Sequence, residues 1–134
     1  METLFLESTK ATPKIEFDPD KNLLSLQGQS YPENAFKFYE PVFAWVDTYL
    51  ATCRSEIFAE VRLSYANTSS SKCIMMLLEK FDEAFKRGVN IQLNWYCDLE
   101  NESEIECAEE FQEELSFPFK IISELAKNSE RNDC

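Results

Sequence analysis

"EIFAEVRLSYANTSSSKCIMMLLEKFDEAFKRGVNIQLNWY", residues 56–96, carries three periodic patterns in a row. In 56–65, Ile57, Ala59, Val61, Leu63 and Tyr65 alternate with Glu60, Arg62 and Ser64, the period of two that makes a half-buried strand. In 89–96, Val89, Ile91, Leu93 and Trp95 alternate with Asn90, Gln92, Asn94 and Tyr96. Between them Ile74, Leu77, Leu78, Phe81 and Phe85 fall at helical spacing, and Lys86, Arg87 and Gly88 supply a helix stop: cations for the negative end, glycine for the left-handed residue beyond it. Strand, helix, strand predicts a βαβ unit with parallel strands and a right-handed crossover. The alternation predicts one sheet face under helices and the other in water.

Working outward, "PKIEF" (13–17) and "NLLSLQGQ" (22–29) flank the turn residues "DPDKN" and read as a β-hairpin. "SYPENAF" (30–36) leads into a helix over about 35–53, where Tyr39, Phe43, Val46 and Leu50 form one apolar stripe and Phe38, Val42, Trp45 and Tyr49 a second beside it. Pro41 interrupts that helix, which predicts a kink there or a start near it. Residues 102–115 predict a third helix with Ile105, Ala108, Phe111 and Leu115 inward; Glu109, Glu110, Glu113 and Glu114 make its solvated face. "FPFKII" (117–122) adds a short last strand, and 126–134 is an aperiodic polar tail. The expected fold is a single α/β domain over 1–125, with a mixed sheet and helices mainly on one face.

Composition narrows the function. The 134 residues, 44% of them hydrophobic, suit a globular chain. No apolar run approaches the roughly 20 residues that span a bilayer, and "METLFLESTK" does not read as a secretory signal; a cytoplasmic protein is expected. A net charge of −12 opposes nucleic acid and anionic membrane surfaces as partners. Cys53, Cys73, Cys97, Cys107 and Cys134 form no CxxC pair and there is no histidine, so neither a zinc site nor Cys–His catalysis is expected. No cofactor is implied, and the chain does not read as an enzyme.

The run Asn67, Thr68, Ser69, Ser70, Ser71 lies where a strand ends and a helix begins, a place suited to an anion because amide N–H groups and the positive dipole end converge there. Capping by Asn67 or Thr68 accounts for one or two of these residues. Reversible phosphorylation is the other reading: it adds about −1.5 to −2 charge where the fold tolerates it, and so alters the surface that a partner sees.

"SYPENAFKFYEPVFAWVDTYL" (30–50), "RLSYANTSSSKCIMMLLEKFDEA" (62–84), "VNIQLNWYCDLENESE" (89–104) and "AEEFQEELSFPFKII" (108–122) together resemble the bacterial SiaC family of biofilm-regulation phosphoproteins. The resemblance implies a fold like the STAS domains of anti-sigma-factor antagonists and no activity of the chain's own. It makes Thr68 the residue phosphorylated by a dedicated Ser/Thr kinase and dephosphorylated by a PP2C-type phosphatase. The unmodified form would bind a diguanylate cyclase and raise cyclic di-GMP. Asn67, Ser69, Ser70 and Lys72 would shape the phosphosite, and Tyr31, Pro32, Glu33, Asn34 and Tyr96 are candidate partner contacts. Antagonism of an anti-sigma factor is the alternative with the same site chemistry. Pro41 and the tail after Ala126 depart from the family pattern.

Overall fold

Nine elements follow in the order β1 (Leu4–Leu6), β2 (Lys14–Asp18), β3 (Leu23–Ser30), α1 (Ala35–Thr52), β4 (Ile57–Ala66), α2 (Thr68–Lys86), β5 (Ile91–Cys97), α3 (Glu102–Glu113) and β6 (Phe119–Ser123). They belong to a computed structural model that describes residues 1–124; the polar tail expected at 126–134, and Cys134, lie outside the described residues.

The six strands form one sheet in chain order. β1, β2 and β3 pair antiparallel, and β3 through β6 pair parallel. Each crossover therefore advances one strand in the same direction, and crossovers of a single hand place α1, α2 and α3 on the same face. Burial follows that geometry. Ile15, Phe17, Leu24, Leu26, Ile57, Val61, Ile91, Leu93 and Trp95 are buried beneath the helices. Their alternates Glu16, Gln27, Phe58 and Gln92 lie open. Trp95 anchors one end of the core, stacked on Phe111 of α3 (ring centroids 5.1 Å) and on Phe119 of β6 (5.8 Å). This is the expected mixed α/β sheet with its helices on one side.

The hairpin turns where its residues predict. Asp18 Oδ1 accepts from the backbone N–H of Asp20 (2.9 Å) and Lys21 (3.2 Å), an Asx turn, and Asn22 takes the left-handed φ of 53°. Asn22 then accepts the Tyr49 hydroxyl at 2.6 Å, tying the turn to α1.

Two expectations need correction, and one element was missed. α1 does not start near Pro41 but at Ala35, and it runs through to Thr52. Pro41 and Lys37, whose carbonyl loses its donor, both face solvent, where water replaces the missing bond. Tyr65, assigned to the inward side of β4, is 53% exposed. The cause is a β-bulge: Gly28 pairs with Leu63 but Gln29 pairs with Tyr65, so Ser64 has no opposite residue and the alternation inverts after it. The Ser64 hydroxyl donates to the Gly28 carbonyl at 3.3 Å, and Gly28 supplies a φ of 126°. β1 escapes notice in the sequence because it is only three residues long. It pairs with β2, and the neighbouring Glu2 carbonyl accepts the Trp45 indole N–H at 2.9 Å.

Asp82 is the one buried carboxylate among the described residues. Its Oδ1 accepts the backbone N–H groups of Ser116 (2.7 Å) and Phe117 (3.2 Å), holding the α3–β6 connection against α2. Asp82→Ala leaves both donors without an acceptor, at about 1–3 kcal/mol for each buried unsatisfied group. Urea unfolding should show a loss of that order, and Asp82→Asn, which keeps an acceptor oxygen, should lose markedly less.

Candidate functional site

The carboxyl ends of β3 and β4 meet the first turn of α2 at Asn67. Its backbone N–H donates to the Ser30 carbonyl at 3.0 Å, its carbonyl accepts from the Ser71 N–H at 2.9 Å, and its side-chain Oδ1 accepts from the Ser70 N–H at 2.8 Å. Asn67 is the N-cap of α2, so capping accounts for that residue. The remaining polar residues divide by direction. Ser70 is fully buried, and its hydroxyl accepts from Ser30 Oγ at 2.8 Å; Ser30 in turn is 2.8 Å from the Tyr39 hydroxyl. Thr68, Ser69 and Lys72 face solvent.

Thr68 is thus the first helical residue, with its hydroxyl on the surface. Among the described residues nothing accepts from the Thr68 or Ser69 N–H, and Lys72, one turn on, forms no ion pair. Unspent amides, a helix dipole and an exposed cation make a receptive setting for a dianion. A shallow groove of about 280 Å³ opens beside Thr68 between α2 and α3, lined by Lys72, Met75, Cys107, Glu110 and Phe111.

Residues 31–34 lie at the same end of the sheet, directly after β3. Tyr31 donates its N–H to the Ala11 carbonyl at 2.7 Å, and its ring lies 6.0 Å from that of Tyr65. Asn34 caps α1 by accepting the Lys37 N–H at 3.1 Å; Pro32 is half-buried and Glu33 exposed. Tyr96 stands apart from this group on the uncovered sheet face. Its ring lies under the Arg62 guanidinium (4.1 Å), and Asn94 donates to its hydroxyl at 3.3 Å. Arg62 is itself held by Glu124 at 2.6 and 3.0 Å, which pushes its pKa further up.

Sequence reasoning gave Ser30, Tyr39 and Tyr65 no part in the site at this end of the sheet. Ser30 had a signal, since it continues the inward phase of Leu24 and Leu26. Tyr65 had none, because a bulge leaves no mark in an alternating pattern. No group of His, Cys, Asp or Glu among the described residues is placed to hold a metal, and no helix there is long and apolar enough to cross a membrane. Burial pushes the thiols of Cys73, Cys97 and Cys107 up, with nearby carboxylates adding to the rise at the last two. Thiolate is therefore scarce at all three.

A family model described as SiaC family regulatory phosphoprotein matches residues 6–124. An uncharacterized protein of Pseudomonas aeruginosa strain UCBPP-PA14 is 41% identical over 121 residues, covering 90% of this chain and 96% of that one. The crystal structure of apo-SiaC from Pseudomonas aeruginosa is similar with a TM-score of 0.86 and 40% identity, over 91% of this chain and 99% of that one. The same identity and TM-score hold for a chain of the crystal structure of the diguanylate cyclase SiaD in complex with its activator SiaC from Pseudomonas aeruginosa, over 90% of this chain and 99% of that one.

The buried hydroxyl chain has a pH signature. Burial raises the Tyr39 pKa from 10 to about 12. The unfolded chain ionises this group first, so its contribution is complete below pH 10 and is lost as pH rises from 10 towards 12. Denaturant titrations across that range should show Tyr39→Phe losing stability less steeply than the wild type. Asn67→Ala should cost about 1 kcal/mol at neutral pH through the lost cap, measured by the same unfolding titration.

Proposed function

We propose that this chain, which belongs to the SiaC family of regulatory phosphoproteins, is a phosphorylation-switched activator of a diguanylate cyclase. Thr68 is its phosphoacceptor, set by a Ser/Thr kinase and cleared by a PP2C-type phosphatase. The single observation that carries this reading is the position of Thr68: exposed, first in α2, beside unspent amides and ahead of Lys72. A relative 40% identical is the SiaC of a complex in which it activates the cyclase SiaD.

A phosphoryl group on Thr68 adds about −1.5 to −2 charge. At a helix amino terminus a negative charge is favourable by about 0.3–1 kcal/mol, so the fold accepts it. At a contact that a partner must desolvate, stripping water from the same dianion can cost several kcal/mol. The modification therefore acts on docking and leaves the fold as it is. Ser69 and Lys72 form the outer wall of this site, while Asn67 and Ser70 hold it from within.

The switch requires no catalysis by the chain, which we take to act by binding alone in the cytoplasm. This reading is supported by the lack of histidine in the sequence, by burial pushing up the thiols of Cys73, Cys97 and Cys107 and by the exposure of glutamates 109, 110, 113 and 114 along and just after α3.

Thr68→Ala should bind and activate the cyclase irrespective of kinase, and Thr68→Asp should bind at least tenfold more weakly. Cyclic di-GMP production with each purified variant reads this out; equal activation by the two contradicts the switch. Incubation with kinase and ATP should add one phosphate to the wild type and none to Thr68→Ala by intact mass.

A further inference from the structure

Tyr65 is a large aromatic that the fold turns away from its own core. Ile57, Ala59, Val61 and Leu63 alternate into the core along β4, and an unbroken strand would bury Tyr65 next. The bulge at Ser64 prevents this, and the surrounding residues are built to keep the bulge. Gly28 supplies the left-handed φ of 126° opposite it, and the Ser64 hydroxyl takes up the Gly28 carbonyl. Bulges of this kind re-aim side chains next to functional sites. Here the re-aimed ring meets Tyr31 at 6.0 Å with a tilt of 60°, and two residues later the chain reaches the Asn67 cap and Thr68. Tyr65 remains 53% exposed, and Phe36, in the first turn of α1, is exposed to the same degree.

We infer that Tyr65, supported by Tyr31, is the aromatic anchor through which the unmodified chain docks the diguanylate cyclase. The inference rests on the proposed function and deepens it, by naming the contact that the Thr68 phosphate disrupts. Three features select this occupant. Tyr65 lies three residues before the phosphoacceptor, at the same β4–α2 junction and exposed like it, so one docking surface can include both. The relative that is 40% identical binds a cyclase with the same fold. Glu33 lies exposed beside Tyr31, and the whole chain carries −12, so this end of the sheet suits a cyclase segment that presents an apolar side chain next to a cation. Aromatic rings lose little conformational freedom on docking and dominate the energetics of such contacts. A dianion added at Thr68 holds its own hydration shell beside the docking ring, so the contact can form only by stripping water from a charge that the unmodified hydroxyl does not carry.

The test is isothermal titration of purified cyclase with the wild type and with Tyr65→Ala, Tyr65→Phe and Thr68→Asp, alongside kinase labelling followed by intact mass. Tyr65→Ala should weaken binding at least tenfold, whereas Tyr65→Phe, which keeps the ring, should stay within about threefold. Both should accept phosphate from the kinase as the wild type does. Wild-type affinity in Tyr65→Ala together with weak binding by Thr68→Asp overturns this inference alone. Weak binding by Tyr65→Ala with wild-type affinity in Thr68→Asp keeps the anchor and removes the switch. If Tyr65→Ala unfolds, or loses kinase labelling while still binding the cyclase, Tyr65 serves the fold or the kinase and the inference fails.

Discussion

Asn67 is held from two directions, and the geometry of the site depends on that. Its backbone N–H closes on the Ser30 carbonyl at the end of β3, while its side chain closes on the Ser70 N–H inside α2. One residue thus fixes where β4 ends, where α2 begins and how both sit against β3. The buried chain from Tyr39 through Ser30 to Ser70 reinforces the same point from the core side. Because these bonds lie beneath the surface, the first helical residue is presented outward without bearing on the fold. A polar network of this kind is stable only when its members are satisfied, which explains why so many hydroxyl-bearing residues gather at one junction.

The sheet topology puts this junction at the end of the sheet where several loops meet. Four parallel strands with all their helices on one face bring the carboxyl ends of β3 and β4 side by side, each followed by a helix amino terminus capped by asparagine, Asn34 or Asn67. The groove between α2 and α3 opens from the same place. The uncovered face is a different surface, crossed by the Arg62–Glu124 pair and the Tyr96 ring beneath the guanidinium. Such partly exposed pairs contribute little to stability, and Tyr96 belongs to that face rather than to the junction.

Much of this was legible in the sequence. The alternating strands, the α2 stripe and the turn at Asp18–Asn22 followed from period and turn chemistry, and Asn67, as one of two candidate caps, from the preference of helices for polar caps. What was not legible depended on contacts between distant residues. The bulge that exposes Tyr65 is defined by its register with β3 and by Gly28. The burial of Ser70 is decided by Ser30, 40 positions away. Pro41 argued for an interruption that the solvent-facing side of α1 absorbs. Among five adjacent polar residues, one-dimensional order does not reveal which point inward, and that division is what makes Thr68 a surface group.

We propose that a phosphate on Thr68 changes what docks without changing the fold. Amide hydrogen exchange on the wild-type chain, before and after stoichiometric phosphorylation and with and without the cyclase, tests it most directly. Protection of β4 and of α2 beyond its first turn should be the same in both free forms, and the cyclase should add protection around residues 65–72 only in the unmodified one. Loss of protection along α2 on phosphorylation, or equal protection of both forms by the cyclase, would contradict it.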